Sequence, residues 1–396
     1  MLAIPKTMRA AVYRGPDDLR VETVPVPRIG PDELLVKVAA CGVCPTDIKK
    51  ILYGTVPPPR IFGHETAGTI VRAGPRVRGF KAGDRVALHH HVPCLECHAC
   101  RHRAFAQCAQ YKRTGITAGF EPAGGGFAEY VRVMPFVLPG VVRIPARNSF
   151  EEGAMLEPVN TVLKAVKRLA LLAGDAVLVA GQGPIGLIFT RLLQLRRMNV
   201  LATDLMETRL KLAREFGARW TVCVNEAGTP SGRAAPSGRP ALSVGLRCVA
   251  AEDAHSASRP ARPSRRVPAG ASRPPSLAPA PSLFDAAILA VPSDAALRQA
   301  IESVRGAGQV LLFAHTHRGA TSAVDLASVC VDEKDLLGSY SADFTLQREV
   351  AWLVFSRRLD VRRLITDRFP LEQAAKAVKL ASQPTPDSLK IMVCPG

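Results

Sequence analysis

The sequence holds no apolar run as long as the roughly 18 residues a membrane-spanning helix needs, which excludes a helical membrane protein. Its opening, Met1 to Lys6, lacks the apolar core and small-residue cleavage site of a secretory leader. These two absences read as a soluble cytoplasmic protein. Aromatic residues are scarce, at 5%, and acids are outnumbered, 34 Asp and Glu against 52 Lys and Arg, for a formal net charge of +18. The basic residues are spread along the chain without a dense run and with few aromatics between them, which argues against a nucleic-acid partner. A basic surface also attracts an anionic dinucleotide.

With 396 residues and 47% hydrophobic content, the chain is long enough for two domains with separate cores. It carries ten cysteines, and four of them crowd between positions 94 and 108. In a reducing compartment such clustering points to metal rather than to disulfides.

Residues 8 to about 150 are rich in Val, Gly and Pro, with short alternating runs such as Glu33 to Ala39 and Gly83 to Leu88. These read as strands joined by turns and predict a mostly β, partly barrel-like domain. From Phe150 the texture changes to a helical stretch running to Leu172, then a short buried strand, Ala176 to Ala180, ending at glycines. Strand and helix signals alternate from there, with further strands at Asn199–Asp204, Thr221–Asn225, Phe284–Val291, Gln309–Ala314 and Asp335–Tyr340, and a helix at Ser293–Val304. This alternation predicts a parallel, doubly wound α/β sheet. Between about 226 and 282 the pattern fails: Pro, Ser, Ala and Arg dominate, Lys is absent and amphipathic periodicity is lost. A disordered or loosely packed insertion is expected there.

The segment Gly181, Gly183, Pro184, Ile185, Gly186 follows the Ala176 strand and opens an apolar helix, the setting in which G-x-G-x-x-G binds a dinucleotide. Gly181 makes the tight turn, Gly183 lets a pyrophosphate approach the backbone, and Gly186 lets helix and strand pack. Asp204, at the end of the next strand, offers a carboxylate to the adenosine ribose and repels a 2′-phosphate, which selects NAD over NADP. It is also placed to cap the helix that begins near Met206. Arg209, one turn further on, lies over the adenine or stands as a solvated helix charge.

Cys94, Cys97, Cys100 and Cys108 offer four thiolates at a spacing that one irregular lobe folds around a tetrahedral structural Zn²⁺. An iron–sulfur run wants a tighter fourth spacing followed by Pro, and Ala109 follows Cys108. A second, dispersed group has the mixed donors of a catalytic zinc with one position open: Cys44, His64 and one or both of Glu65 and Glu157. Cys41 forms a C-x-x-C with Cys44 and is read as a small buried residue rather than as half of a redox pair.

These motifs together resemble the zinc-containing medium-chain dehydrogenases, particularly the sorbitol (L-iditol) and L-threonine dehydrogenase branch, over nearly the whole chain except the insertion. The resemblance rests on the segments around Cys41–Asp47, Gly63–Glu65, Glu157–Pro158, the glycine loop and Gly125–Tyr130. It implies a GroES-like catalytic domain over residues 1–150, joined again by 341–396, and a Rossmann NAD-binding domain over 151–340. It implies two Zn²⁺ per chain and hydride transfer from a secondary alcohol or polyol to NAD, giving a ketone. Thr46 takes the substrate proton, Asp47 supports a metal ligand, Thr161 lies against the nicotinamide and Lys390 reaches the cofactor pyrophosphate. Lys49 stands where the family commonly carries a histidine that passes the proton to solvent. A homodimer or homotetramer is also implied.

The insertion is the main departure, for it falls where the family has a short link with one amphipathic helix. It fits either a tolerated surface insertion or a coding stretch read out of frame. The alternatives kept open are L-threonine 3-dehydrogenase-like activity, an inactive homologue with a damaged coenzyme domain, a zinc-free quinone or enoyl reductase, and a nucleic-acid-binding protein. The cysteine clusters and Asp204 speak against the reductase.

Overall fold

The computed structural model describes residues 4–90, 92–113, 124–224, 279–314 and 319–396. Of the expected insertion, residues 226–278 lie outside the described residues, and 279–282 lead directly into the strand Phe284–Leu289. Among the described residues no helix is long and apolar enough to cross a membrane. The chain forms two compact units, Met1–Lys167 with Tyr340–Gly396, and Arg168–Ser339.

The first unit holds two sheets. Thr7–Gly15 pairs with Asp18–Pro25 on one side and Arg60–Ile61 on the other. The larger sheet runs Ile365–Pro370, Lys390–Cys394, Leu34–Gly42, Glu65–Ala73, Arg85–Ala87, Val142–Arg143, with Tyr130–Val133 also paired to Leu34–Gly42. Apart from the parallel pair Ile365–Pro370 and Lys390–Cys394, its pairings are antiparallel. Alternation along Leu34–Gly42 and its neighbours puts Leu34, Val36, Val38, Ile70 and Val86 into one core with Tyr13, Phe62 and Phe127. The C-terminal strand belongs to this core too, through Ile391 and Val393.

The second unit contains a six-stranded sheet in the order Trp220–Cys223, Asn199–Asp204, Ala176–Ala180, Phe284–Leu289, Val304–Leu312, Asp335–Gly338. Every pairing in it is parallel. Val177, Leu178 and Val179 are all buried, as expected for a strand covered on both faces. The strand order reverses direction at Ala176–Ala180, the position where such sheets bind ligands beyond their carboxyl ends. Helix Pro184–Leu195 begins there, with Pro at its first turn, where a missing N–H costs nothing.

The helical stretch expected from Glu151 to Leu172 is shorter. It forms Phe150–Ala154 and Leu156–Val166, and both fall in the first unit, so the compact division comes at Lys167 rather than at residue 150. A capping box starts it: Ser149 Oγ accepts the N–H of Glu152, and the Glu152 carboxylate accepts the N–H of Ser149. The stretch stops short of Leu172 because Asp175 accepts the Leu172 N–H and Gly174 turns at φ 101°, which closes a loop and leaves Leu172 exposed.

Gly186 is a packing requirement of the second unit. A Cβ there would collide with the carbonyl oxygen of Gly181, which belongs to a turn fixed at φ 89°. Gly186→Ala is therefore expected to lower the unfolding free energy of this unit by about 1–3 kcal/mol, read by chemical denaturation. An unchanged midpoint would show that the loop gives way freely.

Candidate active site

The four-cysteine group is assembled locally. Cys97 caps the short helix His98–Arg101, Cys100 lies within it, and Leu95 and Arg103 take left-handed turns at φ 69° and 57° that fold the chain back on itself. The sulfurs of Cys94 and Cys100, Cys97 and Cys100, and Cys108 and Cys94 are 3.8, 3.5 and 3.6 Å apart. Four thiolates at 2.3 Å from one zinc stand about 3.8 Å from one another, and a disulfide would require about 2.05 Å. The lobe thus has the dimensions of a tetrahedral metal site. Burial works against the Cys108 thiolate, but hydrogen bonds from the Cys94 and Tyr111 backbone and the neighbouring thiols bring its pKa down to about 6.

The second group is built from distant segments. Cys44 ends the loop after strand Leu34–Gly42 and stands at the N-terminus of helix Pro45–Tyr53, whose first N–H groups bond back to its carbonyl. Glu65 opens the adjacent strand, pairing across from Gly42, and His64 stands immediately before it. Ligand atoms of Cys44, His64 and Glu65 lie within 4.8 Å of one another. His64 Nδ1 is 3.1 Å from Asp47 Oδ1, which directs the other ring nitrogen to the group. Burial alone would lower the His64 pKa, yet the Asp47 and Cys44 charges hold it well above its ordinary value.

Two glycines make this approach possible. A Cβ on Gly42 would strike the Glu65 carboxylate and the Lys390 side chain, and one on Gly63, at φ 95°, would meet Cys41 Sγ at 2.7 Å. Lys390 is buried and ion-paired with Glu65, and its Nζ donates to the carbonyl of Val43 at 3.0 Å. The carbonyl and the carboxylate hold this ammonium within the first unit, beside the metal-ligand group. Cys41 is fully buried beside Thr66 Oγ1, 3.4 Å away, and burial pushes its thiol pKa far up. It is an inert thiol.

Glu157 does not join that group of three. It is buried nearby on helix Leu156–Val166, with His90 Nδ1 3.7 Å from its Oε1. Burial raises its carboxyl to about 7, opposed by His64 and Lys390 and reinforced by Glu65. Thr46 is half-buried in the first turn of the helix after Cys44. Thr161 donates its hydroxyl to the carbonyl of Pro158 at 2.8 Å.

In the second unit, Gly183 has open space where a side chain would stand, with no atom within 4 Å. Internal packing does not ask for glycine there, whereas the close approach of a pyrophosphate does. Asp204 joins the loop to the following helix: Oδ2 accepts the N–H of Gln182 at 2.6 Å and Oδ1 that of Met206 at 2.9 Å. Asp204 is not the cap of that helix, whose N-cap is Met206 without a side-chain cap bond; its two bonds hold the carboxylate beside the glycine loop. Arg209 is half-buried on helix Glu207–Glu215, and its Nε has no hydrogen-bond partner among the described residues.

His89, His90, Tyr111 and Ser341 belong to none of the sequence motifs, yet they lie in this region. The run of three histidines, His89 to His91, shortly before the cysteine lobe is the available signal. His90 Nε2 lies 2.7 Å from Tyr111 Oη and 3.1 Å from Ser341 Oγ, and its ring centroid is 5.8 Å from that of His64.

His89 provides a test of burial. Desolvation, opposed in part by Gln347, lowers its pKa to about 4 from 6.5. Between those values the unfolded chain binds a proton that the folded chain does not, so stability is present above pH 6.5 and drains away as pH falls toward 4. The contribution is about 3 kcal/mol at full extent. Urea unfolding from pH 7 to 4.5 is expected to show a shallower acid slope in His89→Gln than in the parent. Equal slopes would assign the loss to other groups.

Residues 30–145 match the family described as alcohol dehydrogenase GroES-like domain. A sorbitol dehydrogenase of Bacillus subtilis (strain 168) is 28% identical over 99% of both chains. The sorbitol dehydrogenase of Rattus norvegicus is 28% identical over 96% of this chain and 94% of its own. A zinc-binding dehydrogenase from Sinorhizobium meliloti 1021, solved bound to NADP, superposes with a TM-score of 0.78 at 26% identity, covering 99% of this chain and 100% of that one. The full-length likeness to sorbitol dehydrogenases, together with the GroES-like domain match, supports an alcohol or polyol oxidoreductase.

Proposed function

We propose that the protein oxidises a secondary alcohol, a polyol in particular, to a ketone with NAD as hydride acceptor. The observation that carries this reading is the meeting of one half-buried cysteine sulfur with a buried imidazole and a buried carboxylate at Cys44, His64 and Glu65. A mixed three-donor set leaves a fourth position of a tetrahedral zinc for substrate, whereas the four-thiolate lobe is closed. When bound, Zn²⁺ supplies Lewis acidity to the alcohol oxygen and NAD accepts the hydride.

The chain's own residues do the remaining work. Asp47 accepts the Nδ1 proton of His64 and so fixes the tautomer whose Nε2 lone pair faces the group. Lys390 holds the Glu65 carboxylate by their ion pair. Thr46, two residues beyond Cys44, would take the substrate proton at Oγ1 while passing its own hydroxyl proton on toward solvent. Cys94, Cys97, Cys100 and Cys108 hold a second, structural zinc. The Gly181–Gly186 loop receives the pyrophosphate, and Asp204 disfavours a 2′-phosphate. The sorbitol dehydrogenase relatives support the choice of polyol.

Metal analysis of the purified protein is expected to give two zinc per chain, one for each ligand group. Reduction of NAD should be seen with polyols ahead of L-threonine in a panel of alcohols. Cys44→Ser should keep the lobe zinc while losing roughly 10³-fold in kcat/KM, the scale of a lost Lewis acid. One zinc, no cofactor binding and no turnover in the parent would refute the reading. Asp204→Ala should narrow the preference for NAD over NADP by roughly tenfold, since it removes a like-charge repulsion. An unchanged ratio would take that role from Asp204.

A further inference from the structure

Tyr111 sits on the short helix Ala109–Arg113, directly after Cys108. Its ring is buried against Cys100 and Cys108, with Cys94, Cys97 and Phe105 packed around them. Its hydroxyl meets His90 Nε2 at 2.7 Å and the Ser341 hydroxyl. The two rings meet edge-on at 5.6 Å. On its other side the His90 ring turns Nδ1 toward Glu157, 3.7 Å away, and stands beside His64. Glu157 lies beyond hydrogen-bond distance of Nδ1, whereas Nε2 and the tyrosine hydroxyl are within it, and an Nε2 lone pair would accept the tyrosine O–H. Thus a continuous chain of contacts within the first unit runs from the four-cysteine lobe through Tyr111 and His90 to the carboxylate beside the second metal-ligand group.

We propose that Tyr111 is a positioning residue that ties the Cys44, His64 and Glu65 group to the four-cysteine lobe, its ring held by the lobe and its hydroxyl holding His90 against Glu157. The lobe then has a role beyond local stability: its folded form sets the surroundings of the second site. Partners that orient metal-site groups from outside the ligand set govern affinity by 10- to 100-fold when removed. The proposal rests on the reading that the second group holds a metal.

The test uses Co²⁺ as the probe. With zinc in the lobe, Co²⁺ is titrated into the second group of the full chain against a competing chelator, and its binding is followed by the sulfur-to-cobalt absorption of a single thiolate. Tyr111→Phe keeps the ring against the cysteines and removes only the hydroxyl. It is expected to weaken Co²⁺ binding at the second group by roughly tenfold or more and to shift that absorption, while lobe zinc and the thermal midpoint stay as in the parent. His90→Phe should weaken it to a similar degree, and the double variant no further, because the two residues act in series. Unchanged Co²⁺ affinity in Tyr111→Phe, or full additivity in the double variant, overturns the proposal alone. A parent protein whose lobe takes metal while its second group takes none overturns the functional reading with it.

Discussion

The first unit depends on what can lie against the strand Leu34–Gly42. Its last residue, Gly42, is paired with Glu65 on one edge and Met392 on the other. Three segments far apart in sequence converge at this point, one carrying Cys44, one His64 and Glu65, and one Lys390. A side chain at Gly42 would occupy the volume where the Glu65 carboxylate and the lysine stem meet. The sheet register therefore fixes the ligand geometry, because a slip of one residue would turn each of these side chains to the opposite face.

Electrostatics follows from that register. Asp47, His64, Glu65, Glu157 and Lys390 are all buried, and buried charges are tolerated only when paired. The pairs are present: Asp47 with His64, Glu65 with Lys390. Glu157, left with a more distant His90, is the carboxyl whose pKa burial raises to about 7. The group is thus charge-compensated on its periphery and rich in donors at its centre, as expected of a site shaped for a cation.

Local patterns in the sequence were readable and long-range ones were not. The spacing of Cys94, Cys97, Cys100 and Cys108 reports a metal site because one short lobe supplies all four sulfurs. The glycine loop is likewise local, since Gly181 and Gly186 meet within one strand–turn–helix. All six strands of the second unit follow the expected order of apolar runs. Apolar spacing extends the helix beyond its end at Val166, because Leu169 and Leu172 continue the pattern while Asp175 and Gly174 close a turn that spacing does not register. Lys390 beside Glu65, and Ser341 beside His90 and Tyr111, depend on sheet pairing and on the return of the C-terminal segment. Nothing in the local pattern around Lys390 or Ser341 carries that information.

The central claim is that this unit holds two metal ions of different kinds, one enclosed by sulfur and one open to substrate. Anomalous diffraction at the zinc edge from crystals of the protein as purified tests it most directly. The account predicts two peaks, one inside the tetrahedron of Cys94, Cys97, Cys100 and Cys108, the other between Cys44 Sγ, His64 Nε2 and the Glu65 carboxylate. A single peak confined to the cysteine lobe, with the Cys44 group empty at full occupancy of the lobe, would contradict it.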